Sequence, residues 1–198
     1  MLETKMNVIC ILGGPGAGKT TLSTALINKI PNSIVLKSGS LIRSSLNSFD
    51  HKECKNVNFI MEQGGLVDDK VVCQIMKNEI LKIIKKGSAH NIIFDGYPRT
   101  LEQLNNFDHL PVNLCGIIVL EAPELILEKR CKIRNLRTDR IDDLQQPVAE
   151  RVQDFRNHIG EILSELQEKS IKNLKISTCG PVEDTIHHAV TFALQLNL

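Results

Sequence analysis

The chain has 198 residues, 42% hydrophobic and 24% charged, a composition that suits one globular domain with its own core and room for an inserted subdomain. A formal net charge of +1 gives no bulk attraction to nucleic acid or membrane, and no apolar run approaches the ~18 residues of a bilayer-spanning helix. Six cysteines without a CxxC pair argue against a zinc site or redox pair, and a start with neither an apolar signal stretch nor an arginine-rich transit stretch adds to the expectation of reduced, mostly buried thiols in a cytoplasmic protein.

The first element is an apolar run, Met6, Val8, Ile9, Cys10, Ile11 and Leu12, which reads as a buried strand. It leads into Gly13-Gly14-Pro15-Gly16-Ala17-Gly18-Lys19-Thr20, the P-loop pattern GxxxxGK followed by Ser or Thr. Glycines at this density let the backbone turn tightly and aim successive N–H groups at a chain of phosphates. Lys19 would reach the β- and γ-phosphates, and the hydroxyl of Thr20 or Thr21 would approach Mg²⁺. Leu22, Ala25, Leu26 and Ile30 continue at helical spacing, so the loop opens a helix whose N-terminus faces the anion.

Pro31-Asn32-Ser33 turns into a short strand, Ile34-Val35-Leu36, and Ser38 or Ser40 can cap the helix after it. The polar stretch from Asn47 to Val57 reads as a surface connection. Asp68-Asp69 opens a helix with Val72, Ile75, Met76, Ile80, Ile83 and Ile84 on one face, closed by Lys85-Lys86-Gly87. Asn91 to Asp95 and Ile117 to Leu120 read as buried parallel strands, with Pro123 in the first turn of the next helix. From Pro147, Val148, Val152, Phe155, Ile159, Ile162, Leu163 and Leu166 form one stripe of a long helix. Leu174-Lys175-Ile176 is the last strand, and Gly180-Pro181 precedes a final helix through Ile186, Val190 and Ala193. Five strands alternating with helices predict a three-layer α/β/α fold around a five-stranded parallel sheet, with ligands beyond the carboxyl ends of the strands.

A second motif, Asp95-Gly96-Tyr97-Pro98-Arg99-Thr100-Leu101-Glu102-Gln103, is similar to the DGFPRTxxQ of the nucleoside monophosphate kinases, and the chain resembles an adenylate kinase from the P-loop to the last helix. Asp95 has two readings: it holds the water shell of Mg²⁺, or it caps a helix. The planar fork of Arg99 suits the acceptor α-phosphate, and the Gln103 amide can pair with the edge of adenine. Pyrimidine-accepting members resemble PRNxxN here, so Thr100 and Gln103 favour AMP over UMP or CMP. Ser38 to Arg43 is similar to the family's STGDLLR, and Gly64 to Asp69 to its GxLV(T/P)D. The resemblance places Ser38, Arg43, Gly65, Leu66, Val67, Gly96, Tyr97 and Pro98 around AMP. Arg43 taken alone reads as a solvated helix residue.

Between Lys129 and Arg156 lie Arg130, Arg134, Arg137, Arg140, Arg151 and Arg156. Arg130 and Arg134 are four apart and can face one anion. One tyrosine and no tryptophan in the chain leave few platforms on which an RNA base could stack, which disfavours nucleic-acid binding. Arg140-Ile141-Asp142-Asp143 with Arg151 matches the family's GRxDD segment and the helix arginine beyond it. The resemblance implies a short lid over about residues 134–144 and an NMP-binding region over about 38–67, within one domain spanning 1–198. It places Arg134 on ATP, Arg140 and Arg151 toward the acceptor phosphate, Arg130 on the transferring group, and the Gly180 backbone on the ATP adenine.

The implied reaction is reversible transfer of the ATP γ-phosphoryl to AMP by a monomer, with Mg²⁺ and without a general base, since the acceptor phosphate is already ionised. Its catalytic groups would be Lys19, Arg99, Arg130, Arg140 and Arg151; Gly16, Ala17, Gly18, Thr20 and Thr21 complete the ATP site, and Thr20 and Asp95 the metal site, mainly through water. His187 and His188 read as surface residues. Ser40 stands where the family has Asp, removing a carboxylate that supports the metal's water shell, and Asp139 stands where a glycine usually precedes Arg140. Two other functions fit the same residues, a UMP/CMP kinase and a nucleotide-binding regulatory protein of low activity.

Overall fold

The computed structural model describes residues 5–46, 67–135, 147–196 and 198. The expectations for Gly65, Leu66, Arg137, Asp139, Arg140 and the residues after it up to Asp143 lie outside the described residues, as do those for the 47–57 connection.

Five parallel strands form one sheet in the order β2-β3-β1-β4-β5: β1 (Met6–Gly13), β2 (Ser33–Lys37), β3 (Asn91–Asp95), β4 (Val112–Glu121) and β5 (Lys172–Ser177). The apolar runs seen in the sequence are the central strands, where burial on both faces demands them. Val8, Cys10, Ile92, Ile93, Phe94, Ile117, Ile118 and Val119 are all fully buried. The register sets Ile11 beside Asp95 and Leu120 beside Gly13, so the P-loop and Asp95 leave the same edge of the sheet on adjacent strands.

Seven α-helices are present among the described residues: α1 (Lys19–Ile27), α2 (Ser38–Leu46), α3 (Asp69–Lys86), α4 (Leu101–Asn105), α5 (Glu124–Asn135), α6 (Val148–Glu168) and α7 (Val182–Leu194). One core face packs α3, α6 and the strands around Met76, Ile80, Phe94 and Tyr97; the other packs α1 and α7 around Leu22, Leu26, Ala189 and Ala193. No helix among the described residues is long and apolar enough to cross a membrane.

Several local expectations shift. Ser38 is itself the first residue of α2, and its hydroxyl donates to the carbonyls of Asp95 and Gly96 rather than capping the helix. Asp68 is the N-cap of α3, accepting from Lys70 N at 2.8 Å, and Gly87 closes that helix in the left-handed conformation. Ile84 stands outside the buried stripe of α3, and α7 buries Thr185, Ala189 and Ala193, leaving Ile186 and Val190 half-buried. Pro123 precedes α5, its carbonyl accepting from Ile126 and Leu127 N–H. The short helix α4, capped by Thr100, has too few residues to show a period in the sequence. Of the five described cysteines, Cys10 and Cys131 are buried, Cys73 and Cys115 half-buried and Cys179 exposed, so burial among them is less general than expected. His187 and His188 are exposed.

Candidate active site

The P-loop is held open from below by α5. Gly16 adopts φ +74°, and a Cβ there would lie 2.8 Å from the Leu127 carbonyl oxygen and 3.0 Å from the Cys131 Sγ. Only glycine allows both the left-handed turn and that approach. Gly18, at φ +98°, hands the loop to the N-terminus of α1, where unpaired N–H groups and the helix dipole favour an anion.

Lys19 folds back onto its own loop, Nζ donating to the carbonyls of Gly13 at 2.6 Å and Gly14 at 2.8 Å. Burial, and after it the Arg99 guanidinium, push its ammonium down to about 7; Asp95 opposes them, and Arg134 and Arg151 add to them. Thr20 Oγ1 donates to Asp95 Oδ2 at 2.7 Å. A hydroxyl and a carboxylate already together beside the loop are the hard oxygen donors that Mg²⁺ prefers, so these residues fit the ion. No group of three or more His, Cys, Asp or Glu among the described residues could hold a metal.

One cleft of about 570 Å³ opens over the loop. Its walls bring together Lys19, Lys37, Arg43, Arg99, Arg130, Arg134 and Arg151, with Asp95 the sole carboxylate among the described lining residues. Gly16, Ala17, Gly18, Thr20, Thr21, Gly96 and Gly180 also line it, as does Ser40 in place of the family's Asp. A smaller cavity of about 100 Å³ lies behind the P-loop, bounded by Pro98, Arg99, Arg151, Asp154 and His158.

Four expected contacts stand behind these walls. Ser38 is buried and donates to the Asp95 and Gly96 carbonyls at 3.1 and 2.9 Å, shaping the turn that carries Arg99. Val67 is in the core beside α3. Tyr97 is fully buried with its ring against Phe94 and Phe107, its hydroxyl donating to the Gln103 carbonyl, and burial pushes that hydroxyl's pKa well up. Gln103 is 2% exposed and joins a network: its Oε1 accepts from Arg99 N at 2.8 Å and its Nε2 donates to Asp69 Oδ1 at 2.7 Å.

Some functional positions were not visible in the sequence. Arg130 is held by Thr178, Nη1 donating to Oγ1 at 2.9 Å and Nη2 to the carbonyl. Thr178 N in turn donates to the Glu121 carbonyl at 2.8 Å. The signal available for Thr178 was its place just past the carboxyl end of β5, where such sheets bind ligands. Lys37, Thr185 and Ile186 join the lining with no motif to announce them. As for Asp95, it accepts from Thr20 and lines the cleft.

A P-loop strand and helix, an Asp at the end of the adjacent strand and cations converging from four helices, one strand end and one loop define a nucleotide-dependent phosphotransferase. The chain belongs to the adenylate kinase family: residues 11–171 match the family described as adenylate kinase. It is 31% identical over 191 residues to adenylate kinase 1 of Schistosoma mansoni, covering 96% of this chain and 94% of that protein. An adenylate kinase of Prochlorococcus marinus is 32% identical over 152 residues, 75% of this chain and 77% of that one. The uridylate kinase of Saccharomyces cerevisiae is 26% identical over 180 residues, covering 91% of this chain and 87% of that one. The protein is thus a nucleoside monophosphate kinase of that family.

Proposed function

We propose that the protein transfers the γ-phosphoryl group of ATP reversibly to AMP, giving two ADP. The observation that carries this reading is the convergence of Lys19, Arg43, Arg99, Arg130, Arg134 and Arg151 on one cleft over a P-loop. That much positive charge exceeds what one triphosphate needs and suits two phosphate chains meeting end to end.

On the donor side, Gly16, Ala17, Gly18, Lys19, Thr20 and Thr21 cradle the β- and γ-phosphates, with Arg134 beside them and Gly180 at the adenine. On the acceptor side, Arg43, Arg99 and Arg151 grip the AMP phosphate, while Ser38, Val67, Gly96, Tyr97 and Pro98 build the wall behind it. Arg140, Gly65 and Leu66 are assigned to the same site from the sequence pattern. An acceptor phosphate oxygen forms the new bond to the γ-phosphorus as its bond to the β–γ bridging oxygen breaks. Lys19, Arg99, Arg130, Arg140 and Arg151 neutralise the charge on the transferring group, and no protein base takes a proton. Mg²⁺ held near Thr20 and Asp95 would supply charge neutralisation across the β- and γ-phosphates. An NMP-binding region over about 38–67 and a short lid over about 134–144, closing on a monomer, would exclude water from the transfer.

The preference for AMP rests on Thr100 and Gln103 and on relatives named adenylate kinase; a relative named uridylate kinase supports the pyrimidine alternative. Coupled measurement of ADP formation from ATP with AMP, GMP, UMP and CMP tests it. AMP is expected to give the highest kcat/KM. CMP or UMP ahead of AMP overturns the AMP assignment, and no turnover with any acceptor at saturation would make the protein a nucleotide-binding one.

A further inference from the structure

Around the start of α4, four groups form a chain whose direction is dictated at both ends. Arg99 N–H can only donate, and it donates to Gln103 Oε1 at 2.8 Å. The Asp69 carboxylate can only accept, and it takes Gln103 Nε2 on Oδ1 at 2.7 Å and Thr100 Oγ1 on Oδ2 at 2.6 Å. Thr100 Oγ1, its proton committed to Asp69, accepts from Gln103 N at 3.2 Å and so caps α4. A glutamine amide is nearly symmetric in shape, and only its hydrogen-bond partners decide which end is oxygen and which nitrogen. Here a reversed amide would set NH₂ against N–H and C=O against carboxylate, two repulsive contacts in a buried site.

The amide keeps one Oε1 lone pair and one Nε2 proton beyond these bonds. An acceptor and a donor side by side complement a base edge with an exocyclic amino group next to an unprotonated ring nitrogen, as in adenine and cytosine. They oppose the edge with a carbonyl next to a ring N–H, as in hypoxanthine, guanine and uracil. We infer that Asp69, by fixing the orientation of the Gln103 amide, is a positioning residue that restricts the acceptor to nucleoside monophosphates with an amino-type base edge. This rests on the reading that Gln103 meets the acceptor base. Selection between adenine and cytosine falls to other walls of the site, because both carry the same edge pattern.

AMP and IMP differ at this edge alone, so their kcat/KM ratio reads the amide. The wild-type enzyme is expected to favour AMP by about 100-fold or more, the scale of a site that leaves polar groups opposed by the wrong substrate. In Asp69→Asn the partner can present NH₂ as well as C=O, and the ratio is expected to fall about tenfold, through the acceptor KM and not the KM for ATP. A purely structural Asp69 would lower both substrates alike, and a wild-type ratio in Asp69→Asn overturns the inference. Asp69→Ala, which removes the acceptor outright, is expected to move the ratio in the same direction and gives the readout should Asp69→Asn not fold; an unmoved ratio there overturns it equally. Gln103→Leu separates the two levels. A ratio that collapses in Gln103→Leu but stands in Asp69→Asn overturns only the role of Asp69, whereas a ratio unmoved by Gln103→Leu overturns the base contact on which it rests.

Discussion

Alanine at Gly16 is expected to destabilise the protein far more than alanine at Gly18 or Gly14 of the same loop. At Gly16 the backbone is left-handed and the new Cβ meets a backbone oxygen, Leu127 O, at 2.8 Å and the buried Cys131 Sγ at 3.0 Å. The conformation alone costs a non-glycine residue roughly 1–2 kcal/mol, and overpacking against atoms that cannot swing away adds about 1–3 kcal/mol. The sum is about 2–5 kcal/mol; at roughly 2–4 °C per kcal/mol for a domain of this size, the melting temperature falls by about 10 °C. Gly18 has φ +98° but nothing within 4 Å of its Cβ, so Gly18→Ala keeps only the conformational cost, a drop of a few degrees. At Gly14 the Cβ contacts are ordinary, 3.4 Å and beyond, and Gly14→Ala is expected to be close to neutral. Thermal melts of the three nucleotide-free variants, followed by circular dichroism, give the order directly. If Gly16→Ala melts no lower than Gly18→Ala, the packing of α5 under the loop is not what requires glycine there.

Between pH 8 and 9.5 ATP binding is expected to take up close to one proton, because free Lys19 titrates near 7 and a phosphate partner restores its charge; the bound state holds the extra proton, so affinity falls as pH rises, and calorimetry in buffers of different ionisation enthalpy reads it. Thr178→Val removes the side-chain acceptor of Arg130 Nη1 and is expected to lower kcat by about 5- to 30-fold, equivalent to one charged hydrogen bond, with melting temperature little changed; an unaltered kcat would show that Arg130 does not need this hold. Ser40→Asp puts a carboxylate on the wall of the cleft that Thr20 and Asp95 also line and is expected to lower the Mg²⁺ concentration for half-maximal rate, measured at fixed ATP.

The sheet and its central strands were legible because runs such as Asn91-Ile92-Ile93-Phe94-Asp95 must be buried on both faces, and the P-loop because glycine, lysine and threonine at that spacing have one joint use. Arg43, Arg99, Arg130, Arg134 and Arg151 were legible only through the family pattern, since a lone arginine on a helix carries no sign of what it faces. Thr178 was legible only by its place past β5, and Asp69 only as part of a helix start and of the GxLV(T/P)D stretch. Their importance comes from partners 48 and 34 residues away, Arg130 and Gln103, brought together by the crossovers of the sheet. Gln103 shows the converse: the motif marked it as a base contact, and the structure adds that its amide is also bound within the protein, as Thr100-x-x-Gln103 at a helix start allows.

Lys19 connects stability with selectivity. Its ammonium sits among Arg99, Arg134 and Arg151 with the Asp95 carboxylate opposing them, and its hydrogen bonds go to the carbonyls of Gly13 and Gly14. A lysine whose folded-state pKa lies below its unfolded value weighs against folding; that penalty is fully present below about 7 and fades as pH rises toward the ordinary lysine value of about 10.4. Among the described lining residues the cleft thus gathers far more positive than negative charge, which an anionic ligand offsets. Relief is larger for two phosphate chains than for one, because Arg99 and Arg151 on the acceptor side depress the same ammonium that the donor phosphates must pair. Filling either side thus eases the electrostatic cost on the other, which predicts that AMP and ATP each tighten the other's binding, and that Arg99→Lys, which keeps the charge but loses the planar fork, preserves this coupling better than Arg99→Leu. Equilibrium titrations of ATP into the three proteins, with and without AMP, decide it: coupling undiminished in Arg99→Leu would place its origin outside this cluster of charges.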